Sequence, residues 1–242
     1  MKKIKLYTAI ALAIILNSCN EQSKKEIHQS IKTEKSSEDD ELNTYYPENI
    51  LFYADSINQI SQVVRTIFQD SNGHIWFGTQ NGAFKLVGNS LTHIDKILSE
   101  SGKGVTIKEI TESIDGKIWL GHTDGISSVD GEIVTNYYES DGLISNDVWS
   151  IAADREGTIW IGTIEGVSKF DGKNFSPFEL PEGIKDTTLG VSSTKMIHNI
   201  MEDSRGRIWF CTNGGVYIKD ENLLTNLSEN DGLQTPFVKE VI

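Results

Sequence analysis

Two cysteines and four prolines in 242 residues are too few for a disulfide-built scaffold, a multi-cysteine zinc site or proline-rich linkers. Positive charge is scarce as well. Lys and Arg number 22 against 35 Asp and Glu, so the chain lacks the cationic footprint that nucleic acid requires. The same balance suits anionic lipid surfaces poorly. No apolar run is long enough to span a bilayer as a helix: Leu6 to Leu16 covers 11 residues. A sustained 3.6-residue period is also missing, which excludes a helical solenoid. Glycine, by contrast, is plentiful at 21 residues and indicates many turns.

Residues 1–18 stand apart from the fold. Lys2, Lys3 and Lys5 form a cationic start, and the short apolar run ends in Leu16-Asn17-Ser18-Cys19. This is the pattern of a secretory signal peptide. A small residue before a cysteine resembles the lipobox of bacterial lipoproteins. By that resemblance Cys19 carries the lipid and becomes the mature N-terminus; the alternative is an ordinary signal peptide with a nearby cysteine. The expected location is the bacterial cell envelope, at the outer membrane, held through Cys19. Residues 19–44 mix charges, have no aromatics and show no sustained period, so they read as a flexible tether. Residues 45–242 hold the fold.

Four segments of that region align without gaps: 67–86, 110–129, 151–170 and 200–219. Their tryptophans, Trp76, Trp119, Trp160 and Trp209, lie 43, 41 and 49 residues apart. Each unit starts with a strand, and its first turn is Asp-x-x-Gly, with Ser113 in the Asp place of the second. Asp or Ser caps such a turn through its own oxygen, and Gly takes the positive-φ position. An Ile-Trp strand follows. The next turns are Asn81-Gly82, Asp124-Gly125, Glu165-Gly166 and Gly214-Gly215, of the hairpin kind. A third turn and a fourth strand complete the unit. Four antiparallel strands recurring every ~40–50 residues predict an all-β fold, a β-propeller of four-stranded blades, with the Trp and Ile columns between blades.

The run D-x-x-G-x-I-W-x-G-T-x-x-G resembles the two-component regulator propeller repeat over about residues 63–242. His122 for Thr, Cys211 for Gly and Ser113 for Asp depart from it. The resemblance implies a periplasmic sensor propeller of the type that often stands before a histidine kinase; no kinase or receiver motif occurs in this chain. Streptogramin lyases are propellers too and would need a His/Glu constellation on one face, where this chain has scattered histidines. At the ends, Ile50 to Tyr53 reads as an outer strand, and residues 231–242 match residues 141–151, so the last residues are expected on the inner strand of a fifth unit. About four complete blades plus partial ones suggest a piece of a larger ring.

Two sets of residues are candidates for binding. Gln80, Asn81, His122, Asp124, Glu165 and Asn213 sit in the loops between second and third strands, on the face shared with the Glu179–Lys195 connection. Eleven residues before each repeat Trp stand Arg65, Lys108, Trp149 and His198, with Lys239 in the matching place. These inner-strand residues either pad a channel wall or hold a carboxylated or sulfated sugar, with Trp149 stacking on it. No catalytic set, cofactor motif or metal motif stands out, and Cys211 reads as a small buried residue. The expected task is ligand-binding sensing or contact with an envelope protein; the alternative is a propeller lyase or hydrolase acting on a glycan or small cyclic substrate.

Overall fold

The computed structural model describes residues 60–183 and 193–241. Cys19, the signal segment, the tether and the expected outer strand at Ile50–Tyr53 lie outside the described residues. Among the described residues sixteen strands form four antiparallel sheets, each in simple sequence order. The first blade holds β1 (Val64–Gln69), β2 (Ile75–Thr79), β3 (Gly82–Val87) and β4 (Ser90–Ile94). The second holds β5 (Ile107–Glu112), β6 (Ile118–His122), β7 (Gly125–Asp130) and β8 (Ile133–Tyr137). In the third are β9 (Val148–Ala153), β10 (Ile159–Thr163), β11 (Gly166–Phe170) and β12 (Phe175–Phe178). The fourth has β13 (Ile197–Glu202), β14 (Ile208–Thr212), β15 (Gly215–Asp220) and β16 (Leu223–Leu227). Among the described residues no helix is long and apolar enough to cross a membrane.

The first turn of each unit is a clasp. Asp154 is representative: its Oδ1 accepts the N–H groups of Glu156 and Thr158 at 3.0 and 2.8 Å, and its Oδ2 accepts the indole N–H of Trp160 at 2.8 Å. Asp70 and Asp203 do the same for Trp76 and Trp209, at 2.9 and 3.0 Å. Ser113 serves Trp119 through its hydroxyl at 3.2 Å. The carboxylate therefore closes the hairpin and satisfies the one polar atom of a large buried ring, which would otherwise cost free energy.

Alternation along the second strand gives each blade two unlike faces. One carries the Trp and a Gly, with Cys211 in the Gly place of the fourth blade; the other carries Ile and a second bulky apolar residue. Blades stack through their inner strands in the series β1, β5, β9, β13, with the Trp face of one on the Ile face of the next. Trp76 thus packs with Ile107, Ile110, Ile118 and Leu120, and Trp160 with Ile197, Ile200, Ile208 and Phe210. Trp76, Trp119 and Trp160 are buried, the interface role expected of them. The Gly two residues after each of the first three repeat tryptophans explains itself by close approach: a Cβ on Gly162 would stand 2.6 Å from Ile197 Cγ2, and one on Gly121 2.7 Å from Val148 Cγ1.

Glu139–Asp141 and Glu229–Asp231 form single 3-10 turns that lead out of the second and fourth blades. After the second of these, Gly215 N–H donates to Pro236 O at 2.7 Å, as Gly125 N–H donates to Asn146 O at 2.7 Å two blades earlier. Phe237–Val241 therefore lies where a following inner strand belongs, although it has no ladder partner and forms no strand.

Candidate functional site

Each inner strand carries a β-bulge at the same place. The register slips between Val64 and Thr66, between Ile107 and Glu109, between Val148 and Ser150, and between Ile197 and Asn199. The residues left out of the ladder are Arg65, Lys108, Trp149 and His198. A bulge frees one residue from pairing and re-aims its side chain. The column aligned from the sequence is therefore a structural class, turned out of the sheet at one end of four adjacent strands.

These side chains are linked across blades. The Lys108 ammonium forms an ion pair with Asp147 of the next blade and sits 3.8 Å from the centre of the Trp149 ring. Trp149 Nε1–H donates to the same Asp147 at 3.1 Å, and the ring is 38% exposed. Burial pushes the Lys108 pKa down, Asp147 raises it, and the nearby Arg65 charge lowers it further. Arg65 is exposed. His198 lies against Phe237, ring centres 4.9 Å apart, and its Nε2 meets Asn213 Oδ1 at 2.6 Å. Lys239 is exposed. Just behind this column, burial raises the pKa of Glu109, which accepts from Thr66 at 3.5 Å and feels the charge of Glu240.

The loop candidates divide. Asn81 and Glu165 are exposed, and Gln80 and Asp124 half-buried. His122 is fully buried and does not reach the surface of the site. Its Nδ1 accepts the Asp124 N–H at 3.3 Å, the task that Thr79 and Thr163 hydroxyls perform in their own turns. Its Nε2 meets Ser127 Oγ at 3.0 Å, and burial pushes its pKa down to about 3, so it is neutral. Asn213 is buried too, and its Nδ2 donates to Ser193 O at 2.7 Å while its oxygen orients His198. The sequence reading missed Asp147, whose role as common partner of Lys108 and Trp149 depends on a bulge and a neighbouring blade.

Between the third and fourth blades a cavity of about 130 Å³ opens on the same side. Phe178, Leu180 and Tyr217 line it with Glu165 and Lys195. Tyr217 O–H donates to Pro181 O at 2.6 Å and anchors the start of the Glu179–Lys195 connection, whose residues 184–192 lie outside the described residues. Among the described residues no group of three His, Cys, Asp or Glu side chains is placed to hold a metal. Cys211 is buried, and burial together with Glu240 pushes its thiol up to about 11, which leaves no nucleophile there.

Four-stranded sheets in radial series, stacked face to face about their inner strands, define a β-propeller. The family model described as two component regulator propeller matches residues 58–81, 142–165 and 190–214. Three of the four blades thus carry a segment that matches this repeat; residues 110–129, with Ser113 and His122, fold as the same kind of blade between the matched segments. Among solved structures, the extracellular domain of a hybrid two component system from B. thetaiotaomicron is 26% identical, with a TM-score of 0.60 over 74% of this chain and 25% of that one. A catalytically inactive virginiamycin B lyase from Staphylococcus aureus with quinupristin is 14% identical, with a TM-score of 0.55 over 71% of this chain and 57% of that one. A streptogramin B lyase is 18% identical, with a TM-score of 0.53 over 67% and 53%. The likeness to the lyases is one of fold. The chain spans a quarter of the length of the first of these structures and little more than half of the other two. No curated protein matches the chain.

Proposed function

We propose that this chain is an exported recognition module, anchored to the envelope by a lipid on Cys19, which senses a ligand rather than transforming it. Three features support export and sensing: the cationic and apolar start ending in Ser18-Cys19, the propeller repeats, and the likeness to the extracellular domain of a two component system. The observation that carries the binding site is the bulge on every inner strand, which turns Arg65, Lys108, Trp149 and His198 toward one end of the blades.

A carboxylated sugar fits this surface. Arg65 offers a planar fork for a carboxylate, and the half-open Trp149 ring offers a stacking face. Lys108 is shared between Asp147 and that ring, so an anionic ligand competes with Asp147 for it. Binding is therefore modest and salt-sensitive. Gln80, Asn81, Asp124 and Glu165 surround the neighbouring loop face and extend the contact for a longer ligand or an envelope protein. The test is calorimetry against acidic and neutral glycans at two salt concentrations. Arg65→Ala with Lys108→Ala weakens acidic-glycan binding, whereas Asp39→Asn with Asp40→Asn in the tether leaves it intact. Equal binding of neutral glycans, or an unaffected double variant, overturns the assignment.

A further inference from the structure

One place on the third strand of a blade decides how the incoming connection lies. It is Ser127 on β7, Ser168 on β11 and Tyr217 on β15, opposite Leu120, Ile161 and Phe210. A serine there draws the connection in. Ser168 Oγ accepts the Ile144 N–H at 2.9 Å. Ser127 Oγ donates to Asn136 Oδ1 at 2.6 Å, and the same oxygen accepts the Leu98 N–H at 3.4 Å. Tyr217 reaches farther by the length of its ring, and its O–H donates to Pro181 O at 2.6 Å. The connection into the fourth blade is thereby propped away from the sheet, and both line the cavity of about 130 Å³.

The chemistry of this cavity is opposite to that of the inner-strand column. Its apolar wall is made by Phe178, Leu180 and the Tyr217 ring. Its polar groups are mostly acceptors. Glu165, Glu179 and Glu182 contribute carboxylates, and Lys195 is the one cation among the described lining residues. The Tyr217 proton is committed to Pro181, which leaves only lone pairs on the phenol oxygen. Burial, and then the nearby Glu182 carboxylate, raise the Tyr217 pKa, so the phenol keeps that proton. Acceptors and negative charge around an apolar wall match a group that only donates, and an ammonium has three donors and no acceptor. Aromatic rings add to the attraction. A closed apolar cavity of about 150 Å³ takes one benzene ring, so the space suits a body of about that size. We propose that this cavity binds a small primary ammonium compound with an apolar body of about one ring. An anion suited to the Arg65–Lys108 column is repelled here, so the two sites take different ligands.

The experiment is titration calorimetry on the full chain with benzylamine, benzyl alcohol and benzoate, which share one ring and differ in charge. Far-UV dichroism confirms the β-fold of each variant. Benzylamine binds at least about fivefold tighter than benzyl alcohol, roughly what one ion pair on an open rim adds, and benzoate binds more weakly than either. Glu165→Gln, Glu179→Gln and Glu182→Gln together, all at exposed positions, bring benzylamine to within about twofold of benzyl alcohol and leave the alcohol unchanged. Leu180→Trp, which fills the apolar wall, abolishes binding of both. Arg65→Ala with Lys108→Ala, which strips charge from the inner-strand column, leaves benzylamine binding intact, so failure of the column and failure of the cavity are told apart. Equal binding of benzylamine and benzyl alcohol, binding of neither, or a benzylamine preference that survives the triple variant overturns the proposal. So does a folded Leu180→Trp variant that binds benzylamine as tightly as the wild type.

Discussion

Asp154→Ala isolates what the turn clasp contributes. The substitution removes the acceptor of three hydrogen bonds: two from backbone N–H groups in the turn and one from the Trp160 indole. Trp160 is 3% exposed, so water does not replace the lost carboxylate at Nε1. An unpaired buried donor costs about 1–3 kcal/mol, and the two turn bonds, which water replaces in part, about 1 kcal/mol each. The expected loss is about 3–5 kcal/mol, read from urea unfolding followed by far-UV dichroism. A double-mutant cycle with Trp160→Phe, which deletes the donor and keeps an aromatic, separates the indole bond from the turn. Asp154→Ala is less costly in the Trp160→Phe background by about 1–3 kcal/mol, because no indole N–H remains to be stranded. A loss below about 1 kcal/mol, or strictly additive single changes, refutes the clasp as a stabilising contact.

Gly162→Ala brings a Cβ to 2.6 Å from Ile197 Cγ2, so it should destabilise by about 2–3 kcal/mol, while Gly104→Ala, with open space around it, should be near neutral in the same unfolding assay. Acid stability follows from the clasps. Burial raises the pKa of Asp70, but bonds from Trp76 and His74 more than offset it, and the Asp203 pKa is likewise lowered on balance by Trp209 and Arg207. Carboxylates held below their ordinary value of 3.8 stabilise the fold above that pH and lose the contribution as pH falls through the folded value. The urea midpoint should therefore be level above about pH 5 and fall below about pH 4, and a midpoint unchanged to about pH 2 contradicts the assignment. Cys19→Ser should abolish incorporation of labelled palmitate and release the protein from membranes; retained label refutes the lipid anchor.

The blade was legible in the sequence because four tryptophans share one register and the turns recur with Gly at fixed places, mostly beside Asp, Asn or Glu. What the turns hold was less legible. Asp154 reads locally as a turn cap, but its bond to an indole six residues later exists only once the hairpin has brought the two together. Gly162 likewise has no local reason to be Gly; the reason is Ile197, in another blade. His122 looks like a departure from Thr, yet it accepts the same kind of N–H bond, and its burial follows from filling the space of the turn. The column of Arg65, Lys108, Trp149 and His198 was visible as an alignment. Its bulge was not, since alternation alone assigns every strand residue to one of two faces. Asp147 stayed hidden for the same reason that long-range partners generally do: it lies 39 residues from the lysine it holds.

The clasps also divide the five tryptophans into two optical populations. Four have their indole N–H fixed by Asp or Ser within their own turn and lie in interfaces between blades or on the face that continues them. Trp149 alone is turned out by a bulge, half open to solvent, with an ammonium over its ring and a carboxylate on its N–H. Its emission should be red-shifted relative to the clasped four and accessible to a soluble quencher such as iodide. A ligand that displaces Lys108 or stacks on the ring would shift that component and leave the rest of the spectrum unchanged. The protein thus carries, at the end of its inner strands, an intrinsic fluorophore through which occupancy of the column can be read without a label.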